Sequence, residues 1–245
     1  MILKVLSTGS SGNCYILEND DTALIIEAGI SFKKVKKALS FNTSKIVGCL
    51  ISHSHGDHAK YAIDYMNNGI DCYMSSDTGL EIGASDDFTL FPHYLDKYVT
   101  SGGIEISDFF VKPFDLEHDV RCLGFQIDHK DFGRLVFITD TQYSPYTFEN
   151  VNHWMIECNY SEKVINQNMI EGSINPFLFN RVKKSHMSLE TVIELLHSNG
   201  LYVTRNIILI HGSETNSHPE EFMLEVMGET GKPVYVAEKG MEVKL

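Results

Sequence analysis

Short apolar runs alternate with polar turns along most of this chain, and longer stretches with apolar residues every three or four positions fill the rest. The first pattern predicts strands and the second helices. Strands are expected at 2–6, 14–18 and 22–27, and a helix opened by Ser31 runs to about residue 40. The run Ile46-Val47-Gly48-Cys49-Leu50-Ile51 reads as a buried strand, followed by a helix over 59–67 that Gly69 closes. Residues 70–74 read as a strand, 76–82 as a short helix, and 86–100 as a mixed, aromatic stretch. Strands follow at 104–114, 122–129, 134–139 and 154–157. Helical spacing then dominates 161–170, 176–184 and 188–198, the last ended by Asn199-Gly200. A buried strand at 206–210, a helix at 219–227 and a strand at 233–237 complete the pattern. Two runs of strands, each followed by helices, predict one α+β domain over 1–245, with two sheets face to face and helices outside.

Composition narrows the setting. A hydrophobic fraction of 43% suits a full core. No apolar run is long enough to span a bilayer, and the first residues read as a strand rather than a secretory signal. The five cysteines are scattered, odd in number and form no C-x-x-C pair, which predicts a reduced, cytoplasmic protein with neither a disulfide framework nor a thiolate zinc site. The net charge of −13 argues against non-specific binding to nucleic acid, but bound cations would reverse the field of an acidic site. Two basic runs stand out locally, Lys33-Lys34-Val35-Lys36-Lys37 and Arg181-Val182-Lys183-Lys184.

The candidate chemistry begins where the buried strand ends. His53-Ser54-His55-Gly56-Asp57-His58 places three imidazoles and a carboxylate within six residues, all of them ligand types for zinc-like or manganese-like cations. A strand that ends in a sharp turn would aim His53 and His55 at one metal and Asp57 and His58 at a second. His118, Asp140 and His211 each lie at or just past a predicted strand end. A dinuclear site needs about seven or eight ligands, and Asp140, with two oxygens, suits the bridge. Glu27, a buried acid after the third strand, would orient a metal-bound histidine from behind. The loop from Ser7 to Asn13 is small and rich in backbone donors, so Ser10, Ser11 and Asn13 are candidates to cradle a phosphate. Ser188 and Ser213, beside His186 and His211, are further candidates. His186 follows the second basic run, where it would hold a phosphate or protonate a leaving oxygen, or else help cap the helix that Ser188 starts.

These residues resemble the metallo-β-lactamase superfamily: His53-x-His55-x-Asp57-His58, then His118, Asp140 and His211. The resemblance covers essentially the whole chain and implies a four-layer αββα sandwich with the metal site at one edge of the sheets. Finer motifs resemble the YycJ-type branch, also called WalJ or VicX, bacterial proteins regarded as DNA exonucleases. They are Gly9-Ser10-Ser11-Gly12-Asn13, Pro113-Phe114 leading to His118-Asp119, Gly124-Phe125, Glu157-Cys158-Asn159-Tyr160, His186-Met187-Ser188, and His211-Gly212-Ser213-Glu214-Thr215-Asn216. The resemblance implies one divalent ion, zinc or manganese, held by His53, His55, His118 and Asp140, and a second held by Asp57, His58, Asp140 and His211. His186 falls at the position of a catalytic, phosphate-contacting histidine. Two positions depart from the usual pattern: Glu27 replaces Asp, and His211 is followed by Gly-Ser rather than Leu-Ser.

The chemistry so implied is phosphodiester hydrolysis, most simply of DNA, by a shared water whose pKa two cations lower and which Asp57 aims. A small-molecule or cyclic-nucleotide phosphodiesterase, an RNA-processing nuclease and an acyl or thioester hydrolase are the alternatives on this fold. The acidic net charge favours the small-molecule reading, whereas His186 and the basic runs speak against acyl chemistry. No membrane partner is expected. A basic protein that delivers DNA to an acidic nuclease is.

Overall fold

The computed structural model describes residues 1–84 and 89–245. The first sheet is built from β1 (Ile2–Ser7), β2 (Cys14–Glu18), β3 (Ala23–Ile26), β4 (Ile46–Leu50), β5 (Cys72–Met74) and β6 (His93–Tyr94), and the C-terminal β14 (Glu242–Lys244). Its order is β14-β1-β2-β3-β4-β5-β6. The second contains β7 (Ile104–Ile106), β8 (Phe109–Leu116), β9 (Cys122–His129), β10 (Gly133–Ile138), β11 (His153–Glu157), β12 (Asn206–Ile210) and β13 (Val234–Val236), in the order β13-β12-β11-β10-β9-β8-β7. Each sheet changes character halfway across. Pairings from β14 to β3 and from β7 to β10 are antiparallel, and those from β3 to β6 and from β10 to β13 are parallel. The two halves therefore share a topology, although no residue-level repeat is visible in the sequence.

The parallel-paired strands β3, β5, β11 and β12 are buried along their whole length, which explains their near-continuous apolar sequences. Leu24 and Ile26 of β3 meet Leu135, Phe137, Met155 and Ile208 in the core between the sheets. The alternate residues Ala23 and Ile25 face outward onto α1 (Phe32–Ala38) and α3 (Ala62–Asn67), through Phe32, Val35 and Tyr65. On the other outer face Trp154, Ile156 and Leu209 pack against Leu189, Val192, Leu196, Phe222 and Val226 of α8 (Leu189–His197) and α9 (Pro219–Thr230). These layers form the expected αββα sandwich. Between β11 and α8 lie α6 (Glu162–Ile170) and α7 (Pro176–Ser185).

Three expectations shift in detail. The helix expected over 59–67 begins only at Ala62, as α3, and a separate short helix, α2 (Gly56–Ala59), precedes it within the histidine motif. The Asp57 carbonyl accepts the Asn13 N–H at 2.7 Å and the His58 carbonyl accepts the Ala28 N–H at 2.7 Å, so neither continues the helical ladder. The stretch 104–114 is a hairpin, turning at Ser107-Asp108 between paired Ile106 and Phe109. Ser107 holds a positive φ of 55° without the glycine or asparagine that usually announces such a turn. β14 was not anticipated. The short helix expected over 76–82 is α4 (Ser76–Glu81). Of the mixed, aromatic stretch, residues 86–88 lie outside the described residues, and the remainder yields β6 and α5 (Asp96–Ser101).

Candidate metal centre

Every chemically interesting strand end lies on one edge of the sandwich. β3 and β4 are parallel and deliver Glu27 and the His53–His58 segment together. β10, β11 and β12 are parallel and deliver Asp140, Glu157 and His211. β8 runs the same way as β10, with β9 antiparallel between them, and so brings His118 to the same edge. Glu27, Asp140 and His211 turn off their strands with φ of 71°, 49° and 54°, a left-handed conformation that is costly for residues with side chains. Three such residues converge where the side chains meet.

α2 is clamped from behind. The Asp57 and His58 carbonyls receive Asn13 and Ala28 N–H groups, and Gly29 N–H donates to the Asn13 carbonyl at 3.0 Å. A side chain on Gly29 would overlap the Asp57 carbonyl oxygen, so only glycine permits this approach.

The imidazoles and carboxylates gather into two adjoining nests. In the first, donor atoms of His53, His55 and His118 lie within 4.8 Å of one another. Ser52 Oγ sits 2.8 Å from His53 Nδ1, and His53 Nε2 is buried with no hydrogen-bond partner among the described residues. His55 Nδ1 and His118 Nε2 face each other at 3.3 Å. Two ligands about 2.05 Å from a tetrahedral zinc ion are separated by about 3.3 Å. In the second nest, His58 Nε2 lies 3.4 Å from Asp57 Oδ2 and 3.1 Å from Asp140 Oδ2, and His211 Nε2 lies 3.2 Å from Asp57 Oδ2. His53, His58 and Asp140 also form one cluster of donors, so Asp140 stands between the nests. Its Oδ2 accepts from Thr139 Oγ1 at 2.7 Å.

Buried acids behind the nests orient the rings. Glu27 Oε1 is 3.3 Å from His58 Nδ1, and its Oε2 accepts the Ser52 N–H at 3.3 Å. The extra methylene of Glu27 therefore still reaches the ring. Glu157 Oε1 lies 2.9 Å from His211 Nδ1 and 2.6 Å from His186 Nδ1. Both Nδ1–H groups donate to this one oxygen, which leaves His211 Nε2 for the second nest and His186 Nε2 for the open side. The segment carrying His186 is fixed by pairing with the residues after β11: Asn159 N–H donates to the Met187 carbonyl, and Leu189 N–H to the Tyr160 carbonyl.

The electrostatics match a cation site. Burial holds His53 and His118 below the usual imidazole range, leaving them as neutral ligands. Burial also opposes a charge on His211, but Asp140, Asp57 and Glu157 outweigh it and lift the ring to about 10. His58 is raised in the same way by Asp140 and Glu27 against the effect of burial. Asp140 resists burial because His211 and His58 hold its carboxyl well below the carboxylate range. Carboxylates converging out of water demand positive charge. Protonated His58 and His211 supply it in the protein alone, and divalent ions would supply it when bound. The two nests thus fit a dinuclear metal site by donor type, spacing and unpartnered nitrogen.

The phosphate candidates divide. Ser10 and Ser11 are exposed in a cleft of about 390 Å³ that Asp57 also lines. Asn13 is buried, and its Oδ1 accepts the Gly9 N–H at 2.8 Å. Ser188 Oγ accepts the Thr191 N–H at 3.2 Å and caps α8, while Ser213 Oγ accepts the Asn216 N–H at 3.2 Å and shapes its loop. Glu157 was not among the sequence candidates. It carries the same signal as Glu27 and Asp140, an acid ending a buried apolar strand.

All five cysteines are free and buried, and no helix among the described residues is long and apolar enough to cross a membrane. The sequence pattern of the Metallo-beta-lactamase superfamily matches residues 7–119, the stretch from the Ser10 loop to His118. With its two sheets and edge site, the chain has the metallo-β-lactamase fold. More particularly, it is 26% identical over 232 residues to the exodeoxyribonuclease WalJ of Streptococcus pneumoniae, spanning 89% of this chain and 83% of that protein. It is 26% identical over 229 residues to the exodeoxyribonuclease YycJ of Bacillus anthracis, spanning 89% and 84%. The solved structure of YhfI from Bacillus subtilis matches with a TM-score of 0.74 at 15% identity, covering 99% of this chain and 98% of that one. The short form of human tRNase Z matches at 0.65 and 14%, covering 100% and 99%. At those identities the two structures speak to the fold.

Proposed function

We propose that this chain is a metal-dependent phosphodiesterase that degrades DNA as an exonuclease, with two divalent ions, zinc or manganese, in the paired nests. The observation that carries the reading is the pair of nests meeting at Asp140 with His186 on their open side. The exodeoxyribonuclease names of relatives that span most of the chain favour DNA as the substrate.

His53, His55, His118 and Asp140 would hold one ion, and Asp57, His58, Asp140 and His211 the other. When bound, the ions supply Lewis-acid activation of water and neutralise charge at phosphorus. Asp57 is positioned to accept a hydrogen bond from the attacking water and aim it. Water adds its oxygen to phosphorus, the bond from phosphorus to the leaving oxygen breaks, and that oxygen gains a proton. His186, anchored through Nδ1 to Glu157, presents Nε2 to a phosphoryl or leaving oxygen.

The test offers linear double-stranded DNA, single-stranded DNA, RNA and bis-p-nitrophenyl phosphate side by side under Mn²⁺ and Zn²⁺. Metal-dependent release of nucleotides from DNA ends is expected, and its loss in His55→Ala and Asp140→Ala. Unchanged activity in either variant overturns the site assignment. Cleavage of the small ester alone overturns the nuclease assignment and leaves a small-molecule phosphodiesterase.

A further inference from the structure

The basic run Lys33-Lys34-Val35-Lys36-Lys37 has no part in the metal centre, yet the fold brings its Lys34 into a cleft that Asp57 also lines. α1 follows the turn at Ala28-Gly29 that clamps Asp57, so its first residues lie beside the second nest. Lys34 and Lys60 line the cleft that contains Ser10, Ser11, Gly56, Asp57 and Tyr61. Asp57 is the only carboxylate among these lining residues, and its Oδ2 faces His211 and His58 in the nest. The cleft and the second nest therefore share Asp57, and the cleft's other polar side chains are basic or hydroxylic.

Its serines and lysines have no anionic partner among the described residues, and Lys60 Nζ lies 5.6 Å from the Tyr61 ring centroid. Among the described residues, neither the hydroxyls nor the backbone N–H groups of Ser10 and Ser11 donate within the protein, and Lys34 and Lys60 have no carboxylate partner. The second basic run differs: Lys183 pairs with Glu162 at 2.8 Å. The opposite flank of the nests is acidic. Asp119 is exposed 3.3 Å from His55 Nε2, Glu117 is exposed beside it, and Glu81 bonds Ser54. In a chain of net charge −13, a polyanion leaving the centre is repelled on that flank and attracted on this one.

We propose that the cleft of Ser10, Ser11, Lys34 and Lys60 is a backbone subsite that grips the phosphates next to the scissile one as a nucleic-acid strand leaves the metal centre. The proposal rests on the nuclease reading above. Lys34 and Lys60 contribute charge, and the Ser10-Ser11 turn contributes short-range donors. None of these groups touches the nests, so the subsite acts on strand binding rather than on the chemical step.

The experiment measures anisotropy of a fluorescein-labelled 20-nucleotide single-stranded DNA with the full chain, metal-free, from 50 to 200 mM salt. Hydrolysis of bis-p-nitrophenyl phosphate by the Mn²⁺-loaded chain is followed in parallel. Lys34→Ser with Lys60→Ser is expected to weaken binding about tenfold at 50 mM salt. It should also reduce the slope of log K against log salt by about 1.4, since each single-strand phosphate contact contributes about 0.7. Hydrolysis of the small ester should stay within about twofold of wild type. Lys130→Ser with Lys232→Ser removes the same charge at the opposite edge of the second sheet, beyond the end of β9 and before β13. It should leave the slope unchanged. Equal slopes in wild type and the cleft variant, equal losses in both double variants, or no salt-dependent binding by wild type each overturn the proposal. Failure of the wild type to hydrolyse any phosphodiester overturns the nuclease reading instead, and the binding measurement still decides the subsite.

Discussion

One oxygen of Glu157 accepts hydrogen bonds from two histidines that face different ways. His211 turns its Nε2 into the second nest, whereas His186 turns its Nε2 to the open side. The two roles separate by substitution. His186→Ala should retain bound metal and lose about 10²- to 10⁴-fold in kcat on phosphodiesters, read by metal titration beside steady-state kinetics. Glu157→Gln should weaken metal binding about 10- to 100-fold, because the amide cannot hold both rings in the required tautomer. Metal loss in His186→Ala would make His186 a ligand and remove it from the chemistry. A second residue-scale prediction concerns His153, buried in the inter-sheet core beside Asn206 and kept neutral by burial, which lowers its pKa to about 4. The unfolded chain takes up this proton below the ordinary value of 6.5, the folded chain only near 4. Stability from this group is thus present above pH 6.5 and lost as pH falls toward 4, by about 3 kcal/mol. Urea unfolding of wild type and His153→Gln at pH 7 and pH 4.5 should show a steeper acid loss in wild type; parallel losses would exclude His153 as the cause. Residue types told part of this story in advance. His53 to His58, His118, Asp140 and His211 could be picked out because imidazoles and acids rarely end buried strands without a task. Ser188 and Ser213 could not be told from caps, because a serine that accepts an N–H and one that meets a phosphate look alike in sequence.

At the scale of elements, the break between α2 and α3 links local structure to the site. Carbonyls that a continuous helix would use internally are given to Asn13 and Ala28, and this ties the glycine-serine loop and the third strand to the metal-binding segment. The break was invisible in the sequence because its cause is a long-range backbone contact, not a proline or a capping residue. The hairpin at Ser107-Asp108 was missed for a related reason: cross-strand pairing forces the turn without its usual residues. Glycines give a paired test. Gly29→Ala inserts a methyl where Asp57 already lies and should cost at least about 1–3 kcal/mol and weaken metal binding with it. Gly228→Ala lies inside α9 with nothing within 4 Å and should stabilise by about 0.5–1 kcal/mol. Differential scanning calorimetry of the two variants checks both signs. A Gly29→Ala protein that melts with wild type would show that the clamp does not position the segment.

For the whole molecule, the sandwich was legible because its rule is coarse: strands buried on both faces and helices with one apolar face leave few ways to stack. What patterning could not supply is the convergence of six strand ends from two sheets on one edge, and that convergence makes the centre a link between the halves of the molecule. Glu27 and His53 to His58 come from the first sheet; His118, Asp140, Glu157 and His211 come from the second. Ions bound between them hold only the folded chain, so they stabilise it by mass action. At 100 times the dissociation constant one site contributes about 2.7 kcal/mol, which for a chain of this size raises Tm by about 5–10 °C. Chelation should lower Tm by a shift of that size, and stoichiometric Zn²⁺ or Mn²⁺ should restore it. Asp140→Ala should abolish the response because both nests lose a ligand, whereas Asp57→Ala should leave a reduced one from the first nest. Calorimetry with and without chelator separates the cases. A wild-type Tm indifferent to chelator and ion would refute a metal link between the sheets, and a full response in Asp140→Ala would show that the two nests do not share that carboxylate.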